Sequence, residues 1–289
     1  MLKIKGNAKI NLTLDVLYKR DDGFHQVEMI MQAIGLQDVL SLEERPGSDI
    51  CIAASIARLP CDQRNLAYRA AALLKETCGV KNGVYIHIDK QIPVAAGLAG
   101  GSTDAASVLV GLNRLWNLGL SVQELESLGA KLGSDVPFCI RGGTMLATGR
   151  GELLQPLADM KPCFVVLAKP SVSVSTAWVY RQYQGQKVKI HPDTAGVKSS
   201  LEKGDLKGVA KGLCNVLETV TIPAHPEIKK IKNAMMQYGA MASLMSGSGP
   251  TVFGLTEDPA KAEYIAEKLK AQYAANIFVT KTVGRNGGE

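Results

Sequence analysis

The sequence predicts an α+β chain of two domains, on three observations. An opening segment alternates with the period of a strand, several later segments repeat at helical spacing, and strand pairs are joined by short glycine-rich turns. Open antiparallel sheets with helices packed on one face satisfy that order better than a doubly wound parallel sheet. At about 150 residues per domain, a length of 289 suits two.

The first strand is read from Ala8, Ile10, Leu12, Leu14 and Val16, which alternate with Lys9, Asn11, Thr13 and Asp15. That period predicts one buried face and puts Lys9, Asn11 and Thr13 together on the other. A turn at Asp21-Asp22-Gly23 leads into a second strand through Met29 and Ile34. Asn65 is placed to cap a helix lined by Leu66, Ala70, Leu73 and Leu74, which Gly79 ends. Val84, Ile86 and Ile88 form the next strand. Ala105, Val108, Leu109, Leu112 and Trp116 then recur at helical spacing, and Ser121 with Glu124 makes a capping box for a helix that Gly133 closes.

Pro156, Asp159 and Pro162 interrupt the pattern, which places a boundary between residues 1–158 and 159–289. Beyond it come an apolar strand from Cys163 to Ala168, a lysine-bearing region of helical spacing and a helix from Glu227 to Tyr238. A strand pair around Ser246 to Gly249, a helix after Asp258-Pro259 and a last strand from Ile277 complete the chain.

With 46% hydrophobic and 21% charged residues the chain buries a real core, which excludes a disordered protein. Six cysteines form no C-x-x-C pair and stand near no histidine at zinc-ligand spacing, so scattered buried thiols in a reducing compartment are expected. The longest uncharged apolar stretches are strand-sized, and Lys3, Lys5 and Lys9 occupy the place where a signal peptide needs its apolar segment. The expected location is the cytoplasm. The 33 Lys and Arg exceed the 27 Asp and Glu by six, which admits nucleic acid, an anionic membrane surface or a phosphorylated small molecule. Residues 1–20 hold five Lys or Arg against one Asp, and no aromatic-rich basic motif appears. Composition does not choose among these; it is the motifs, with what they resemble, that make the expected partner a small phosphorylated molecule, with no nucleic acid and no membrane, for a monomer or homodimer.

The most informative segment is Pro93-Val94-Ala95-Ala96-Gly97-Leu98-Ala99-Gly100-Gly101-Ser102-Thr103-Asp104, between a strand and a helix. Glycines let backbone approach a ligand, and a helix beginning around Ser102 offers unpaired N–H groups to an anion. No Gly-Lys-Ser/Thr follows, so it is not a Walker loop, and it lacks the G-x-G-x-x-G of dinucleotide folds. As an ordinary tight loop it would have Ser102 as N-cap and Asp104 as a first-turn acid beside the helix dipole. Ser246-Gly247-Ser248-Gly249-Pro250-Thr251 is a second glycine-rich turn that could lie against the first, or be simply a hairpin. Asp135, in Gly133-Ser134-Asp135-Val136-Pro137, and Lys9 read in isolation as a turn former and a solvated strand lysine.

Taken together, these segments resemble the GHMP kinase superfamily of small-molecule kinases. The resemblance rests on the N-terminal strand, the P-x-x-x-G-L-x-G-G-S-[ST]-D loop and the G-S-G-P turn, whose order and spacing span nearly the whole chain. It implies an N-terminal domain like the second domain of ribosomal protein S5 and a ferredoxin-like C-terminal domain. Ala8-Lys9-Ile10-Asn11-Leu12, followed by Asp22-Gly23-Phe24-His25, resembles the branch that uses ATP to phosphorylate the 2-hydroxyl of a cytidylyl polyol in the non-mevalonate isoprenoid route. Homoserine- or mevalonate-type kinases, or a non-catalytic nucleotide-binding regulator on the same scaffold, are the alternatives.

The resemblance implies Lys9 and Asp135 as the catalytic pair, Pro93 to Thr103 as the ATP-phosphate loop, and Phe24, His25 and Tyr180 as cytosine-binding residues. Asn11, and more weakly Thr176, would position the substrate. Mg²⁺ is expected with ATP because the loop has no lysine of its own, and no protein metal ligand is assigned. The chain departs from the family pattern at Ala99 and Thr103, where many members have Gly and Ser, and at Phe24, where Tyr is common. Ala99 matters if its backbone needs a positive φ.

Overall fold

The computed structural model describes residues 1–285. Two long strands, β1 (Leu2–Lys19) and β2 (His25–Arg45), pair antiparallel across the Asp21-Asp22-Gly23 turn. β3 (Ile50–Ala54), α1 (Leu66–Cys78) and β4 (Gly83–Asp89) follow, then α2 (Gly100–Leu115), α3 (Val122–Leu132), the short α4 (Val136–Arg141), β5 (Thr144–Thr148) and β6 (Leu153–Pro156). Next are β7 (Phe164–Pro170), α5 (Thr176–Gln182), α6 (Thr194–Glu202), α7 (Leu206–Lys211) and the two-residue β8 (Cys214–Asn215). α8 (Glu218–Ala224), α9 (Pro226–Gln237), β9 (Ala242–Met245), β10 (Val252–Thr256), α10 (Pro259–Gln272) and β11 (Ala275–Lys281) end the order.

The helix boundaries have local causes. Asn65 accepts from Ala67 N at the start of α1, and Gly79 closes it in the left-handed conformation. Ser121 and Glu124 form the expected reciprocal box at α3. Helix α2 begins at Gly100 and not around Ser102, because Ala99 takes a left-handed φ of 60° and turns the chain into the helix without any side-chain cap. Ser102 therefore lies inside the first turn.

Among the described residues there are two sheets. One runs β3-β4-β2-β1-β8, with β5 on the N-terminal half of β2 and β6 beside β5. The other runs β11-β7-β10-β9, antiparallel throughout, the strand order of a ferredoxin-like βαββαβ unit. The first sheet is not wholly antiparallel: β3–β4 and β1–β8 are parallel pairs.

Both faces of β1 are buried, contrary to the single buried face its alternation suggests. Ala8, Ile10 and Leu12 share a core with Leu167, Phe253 and Leu255 of the second sheet. On the opposite face Lys9 and Asn11 are also withdrawn from solvent. A bulge then changes the parity. Asn11 faces Met31 and Thr13 faces Ile30, leaving Leu12 without a partner across β2. One extra residue exchanges the two faces of a strand. Leu14 therefore follows Lys9 and Asn11, and Thr13 points the other way, where its hydroxyl accepts from Ile30 N. Thr13 does not share the Lys9 face.

The cysteines are all free, but Cys61 is exposed and only Cys163 is fully buried, so burial is not their common property. No helix among the described residues is long and apolar enough to cross a membrane.

Candidate active site

A cleft of about 1050 Å³ opens where the two glycine-rich segments meet, lined from both halves of the chain. Its polar floor comes from β1. Lys9 is 4% exposed, and its ammonium donates to Asn11 Oδ1 at 2.7 Å and stands 3.8 Å from Asp135 Oδ2. Asn11 is itself held by Met29 Sδ at 3.2 Å. Asp135 occupies the N-cap position of α4 yet makes no capping hydrogen bond, so its carboxylate remains available on the cleft side with its side chain 30% exposed.

The rim is the loop before α2. Lys9 N donates to Leu98 O, which registers the loop on β1. Ala95, Gly97 and Ala99 hold left-handed φ values of 52°, 76° and 60°, the alternating curvature that turns successive N–H groups to one side. The first hydrogen bond returning into α2 is Thr103 N to Ala99 O, leaving the N–H groups of Gly100, Gly101 and Ser102 at an uncapped helix start. Such a terminus binds phosphate. The second turn locks onto the first: Ser246 Oγ donates to Gly97 O, and Thr251 N to Ala96 O.

A group of rings lines the same cleft. His25 and Tyr180 have centroids 5.3 Å apart, and Tyr183 meets His25 edge-on at 6.4 Å. Burial, with Lys19 nearby, lowers the His25 pKa, which keeps the imidazole neutral at pH 7 with one donor and one acceptor. Phe24 is 52% exposed and covered by the Arg150 guanidinium at 4.9 Å. Thr176 Oγ1 meets Ser248 Oγ at 2.8 Å.

Models of the GHMP kinases N terminal domain and the GHMP kinases C terminal match residues 65–143 and 197–275. A 4-diphosphocytidyl-2-C-methyl-D-erythritol kinase of Geobacillus thermodenitrificans is 51% identical over 284 residues, covering 98% of this chain and 97% of its own. The chain belongs to the 4-diphosphocytidyl-2-C-methyl-D-erythritol kinase family of GHMP kinases. The family member from Listeria monocytogenes is also 51% identical, over 97% of this chain and 96% of that one. A crystal structure of a 4-(cytidine 5'-diphospho)-2C-methyl-D-erythritol kinase matches with a TM-score of 0.83 at 35% identity, covering 98% and 100% of the two chains. A homoserine kinase from Cytophaga hutchinsonii, with a TM-score of 0.77 at 20% identity over 99% and 96%, shares the fold.

Most of the residues expected to form the site of a family kinase line this cleft: Lys9, Asn11, Phe24, His25, Asp135, Thr176 and Tyr180, with Pro93 to Gly97 and Ala99 to Ser102. Leu98 and Thr103 do not. The Leu98 side chain is buried in the core between the sheets, and Thr103 turns inward to donate to Asn7 O at 2.9 Å. They serve the cradle from behind.

Sequence reasoning missed Lys90. Lys90 lines the cleft, and its ammonium is held by Asp38 Oδ2 at 2.5 Å and Asp104 Oδ2 at 2.7 Å, all three side chains being buried. Asp104 is thus no first-turn dipole partner at the surface, because α2 starts two residues early and turns it inward. Asp38 also accepts from Gln91 N and Ile92 N, while Asp104 Oδ1 is buried with no partner. Burial, opposed by Lys90 and reinforced by Asp38, pushes the Asp104 carboxyl up to about 8. The available signal was an acid on an apolar face of α2, beside Ala105 and Val108.

Proposed function

We propose that the cleft transfers the γ-phosphoryl group of ATP to the 2-hydroxyl of 4-diphosphocytidyl-2-C-methyl-D-erythritol, a step in the non-mevalonate route to isoprenoid precursors. One observation carries the reading: Lys9 stands between Asn11 and Asp135, 3.8 Å from the carboxylate, beside the loop that leads to an uncapped helix start. Phosphoryl transfer needs positioning and charge stabilisation more than covalent help. The cradle of Ala95 to Ser102 holds the donor phosphates, and Asn11 orients the acceptor. As the new O–P bond forms and the bond to the β-phosphate oxygen breaks, the hydroxyl grows acidic and Asp135 takes its proton. Lys9 faces Asp135 and offsets charge on the transferring group. His25 reads the cytosine edge, while Tyr180 and Phe24 supply stacking faces.

Mg²⁺ belongs to the same proposal. Among the described residues no three or more His, Cys, Asp or Glu side chains gather as a cage, which suits an ion held mainly by phosphate oxygens. Ser102 and Asp135, which both line the cleft, are the residues whose side-chain oxygens would complete its shell. When bound, the ion neutralises charge on the β- and γ-phosphates. The division into residues 1–158 and 159–289 is part of this reading: the first part supplies Lys9, Asp135 and the loop, the second Thr176, Tyr180 and the Gly247-Ser248 turn.

The test is ATP consumption with the cytidylyl substrate against homoserine and mevalonate. Turnover is expected with the first alone, and turnover with homoserine alone would overturn the assignment. Asp135→Asn should lower kcat by about 10²–10⁴-fold while ATP still binds. An undiminished rate removes Asp135 from the chemistry.

A further inference from the structure

The turn from Ser246 to Gly249 is gripped from one side by a single short segment. Asn215, buried at the end of β8, donates both amide hydrogens, to Met245 O and Gly247 O, each at 2.8 Å, and accepts from Leu217 N at 3.0 Å. Every hydrogen-bonding edge of that side chain except one acceptor lone pair is spent. Three residues on, Glu218 Oε1 accepts from Met245 N at 3.0 Å while its other oxygen pairs with Lys232 at 2.6 Å. Three further on, Thr221 Oγ1 donates to Ser248 O at 3.2 Å. Four backbone groups of the turn and its leading strand are thus fixed by three side chains.

The turn needs such fixing. Gly247 and Gly249 hold φ of 56° and 86°, and glycine has no side chain with which to select that conformation. What it faces is the reaction centre: a Cβ on Gly247 would stand 3.3 Å from Lys9 Nζ, 3.3 Å from Gly97 O and 3.4 Å from Asn11 Oδ1. The gripping segment is also registered on the strand that bears Lys9. Leu14 pairs with Asn215, Thr13 with Cys214, and Val216 N donates to Leu14 O.

We propose that Asn215 and Glu218 are positioning residues for phosphoryl transfer, holding the Ser246–Gly249 turn in register with Lys9, Asn11 and the Gly97 loop. The inference rests on the catalytic reading of Lys9 and Asp135 given above. The two residues act through the turn, whose displacement by a fraction of an ångström would separate donor phosphate from acceptor hydroxyl.

The test uses Asn215→Asp, which keeps the shape but aims an oxygen at two carbonyls, and Glu218→Ala, which removes the acceptor for Met245 N. Steady-state kinetics with both substrates is read beside the melting temperature and backbone amide exchange. In either variant kcat is expected to fall about 10–100-fold, with KM for ATP and for the cytidylyl substrate changing much less. Protection of the Ser246 and Gly249 amides should drop while β7 and β10 keep theirs. A kcat within about 2-fold of the parent in a folded variant overturns the proposal. So does a loss of kcat accompanied by equal loss of protection across the whole second sheet. If Asn215→Asp does not fold, Glu218→Ala decides alone, and if neither folds the residues are structural and the proposal fails. Asp135→Asn run in parallel separates the two readings: an undiminished rate there removes the underlying mechanism, whereas loss there with intact Asn215 variants removes only this inference.

Discussion

The Ser246 side chain is bonded to the Gly97 backbone, 149 residues away in sequence, where the two glycine-rich turns meet. The Ser246 hydroxyl donates to the Gly97 carbonyl at 2.9 Å, and a Cβ on Gly97 would fall 2.3 Å from the Ser246 carbonyl oxygen. Gly97 also holds φ at 76°, a conformation that costs other residues about 1 kcal/mol or more. Gly97→Ala therefore carries both strain and a backbone collision. It should lower kcat/KM for ATP by more than about 10-fold and Tm by several degrees, read by kinetics and thermal unfolding. An alanine variant with parental kinetics would show that the two turns need not meet for catalysis.

The buried Asp104 carboxyl makes stability depend on pH. Unfolded, an aspartate ionises near 4, whereas in the fold burial holds its proton up to about 8. The folded state therefore binds more protons across that window. Its stabilising share is complete below about pH 4 and is lost as pH rises toward 8. Lys90 and Asp38 are the charged groups in contact with it, one opposing and one reinforcing the shift. Asp104→Asn removes the titration and still leaves Lys90 an acceptor. The variant's Tm should rise relative to the parent between pH 5 and pH 9, and parallel curves would refute the assignment.

At the aromatic end the prediction concerns selectivity among substrates. Tyr180 packs on His25 at 5.3 Å, and both rings line the cleft. A stacked base is worth about 1–3 kcal/mol, or about 5- to 150-fold in affinity. Tyr180→Ala should raise KM for the cytidylyl substrate by a factor in that range and leave KM for ATP nearly unchanged. Equal effects on both would place the ring outside the cytidine pocket.

Much of this was legible in the sequence because its signals are local. The existence of strand β1, the Asn65 and Ser121 caps, Gly79 and the two glycine-rich turns each rest on signals within a few positions, and the structure keeps them. What escaped is set by distant neighbours. The bulge at Leu12 exists only relative to β2, so the parity that removes Thr13 from the Lys9 face cannot be read along β1 alone. Lys90 lies 52 positions from Asp38 and 14 from Asp104, and nothing in the spacing announces their union. The start of α2 was displaced because Ala99 takes a conformation that glycine or asparagine would have advertised. The motifs pointed to residues that line one cleft, while the contacts beneath the second turn, from Asn215 to Glu218, carry no local signature.

The pairing of β8 with β1 brings residue 214 beside residue 13. On a ribosome the strand bearing Lys9 emerges long before the turn that closes over it. A nascent chain can complete the α1–α2 core early, yet it owns no closed cradle until Ser246 has left the exit tunnel. Long-range pairing of this kind also slows folding. The cradle is thus closed only once the second turn has been made, and a product truncated before it would keep Lys9 and Asp135 beside a loop that nothing locks from the other side.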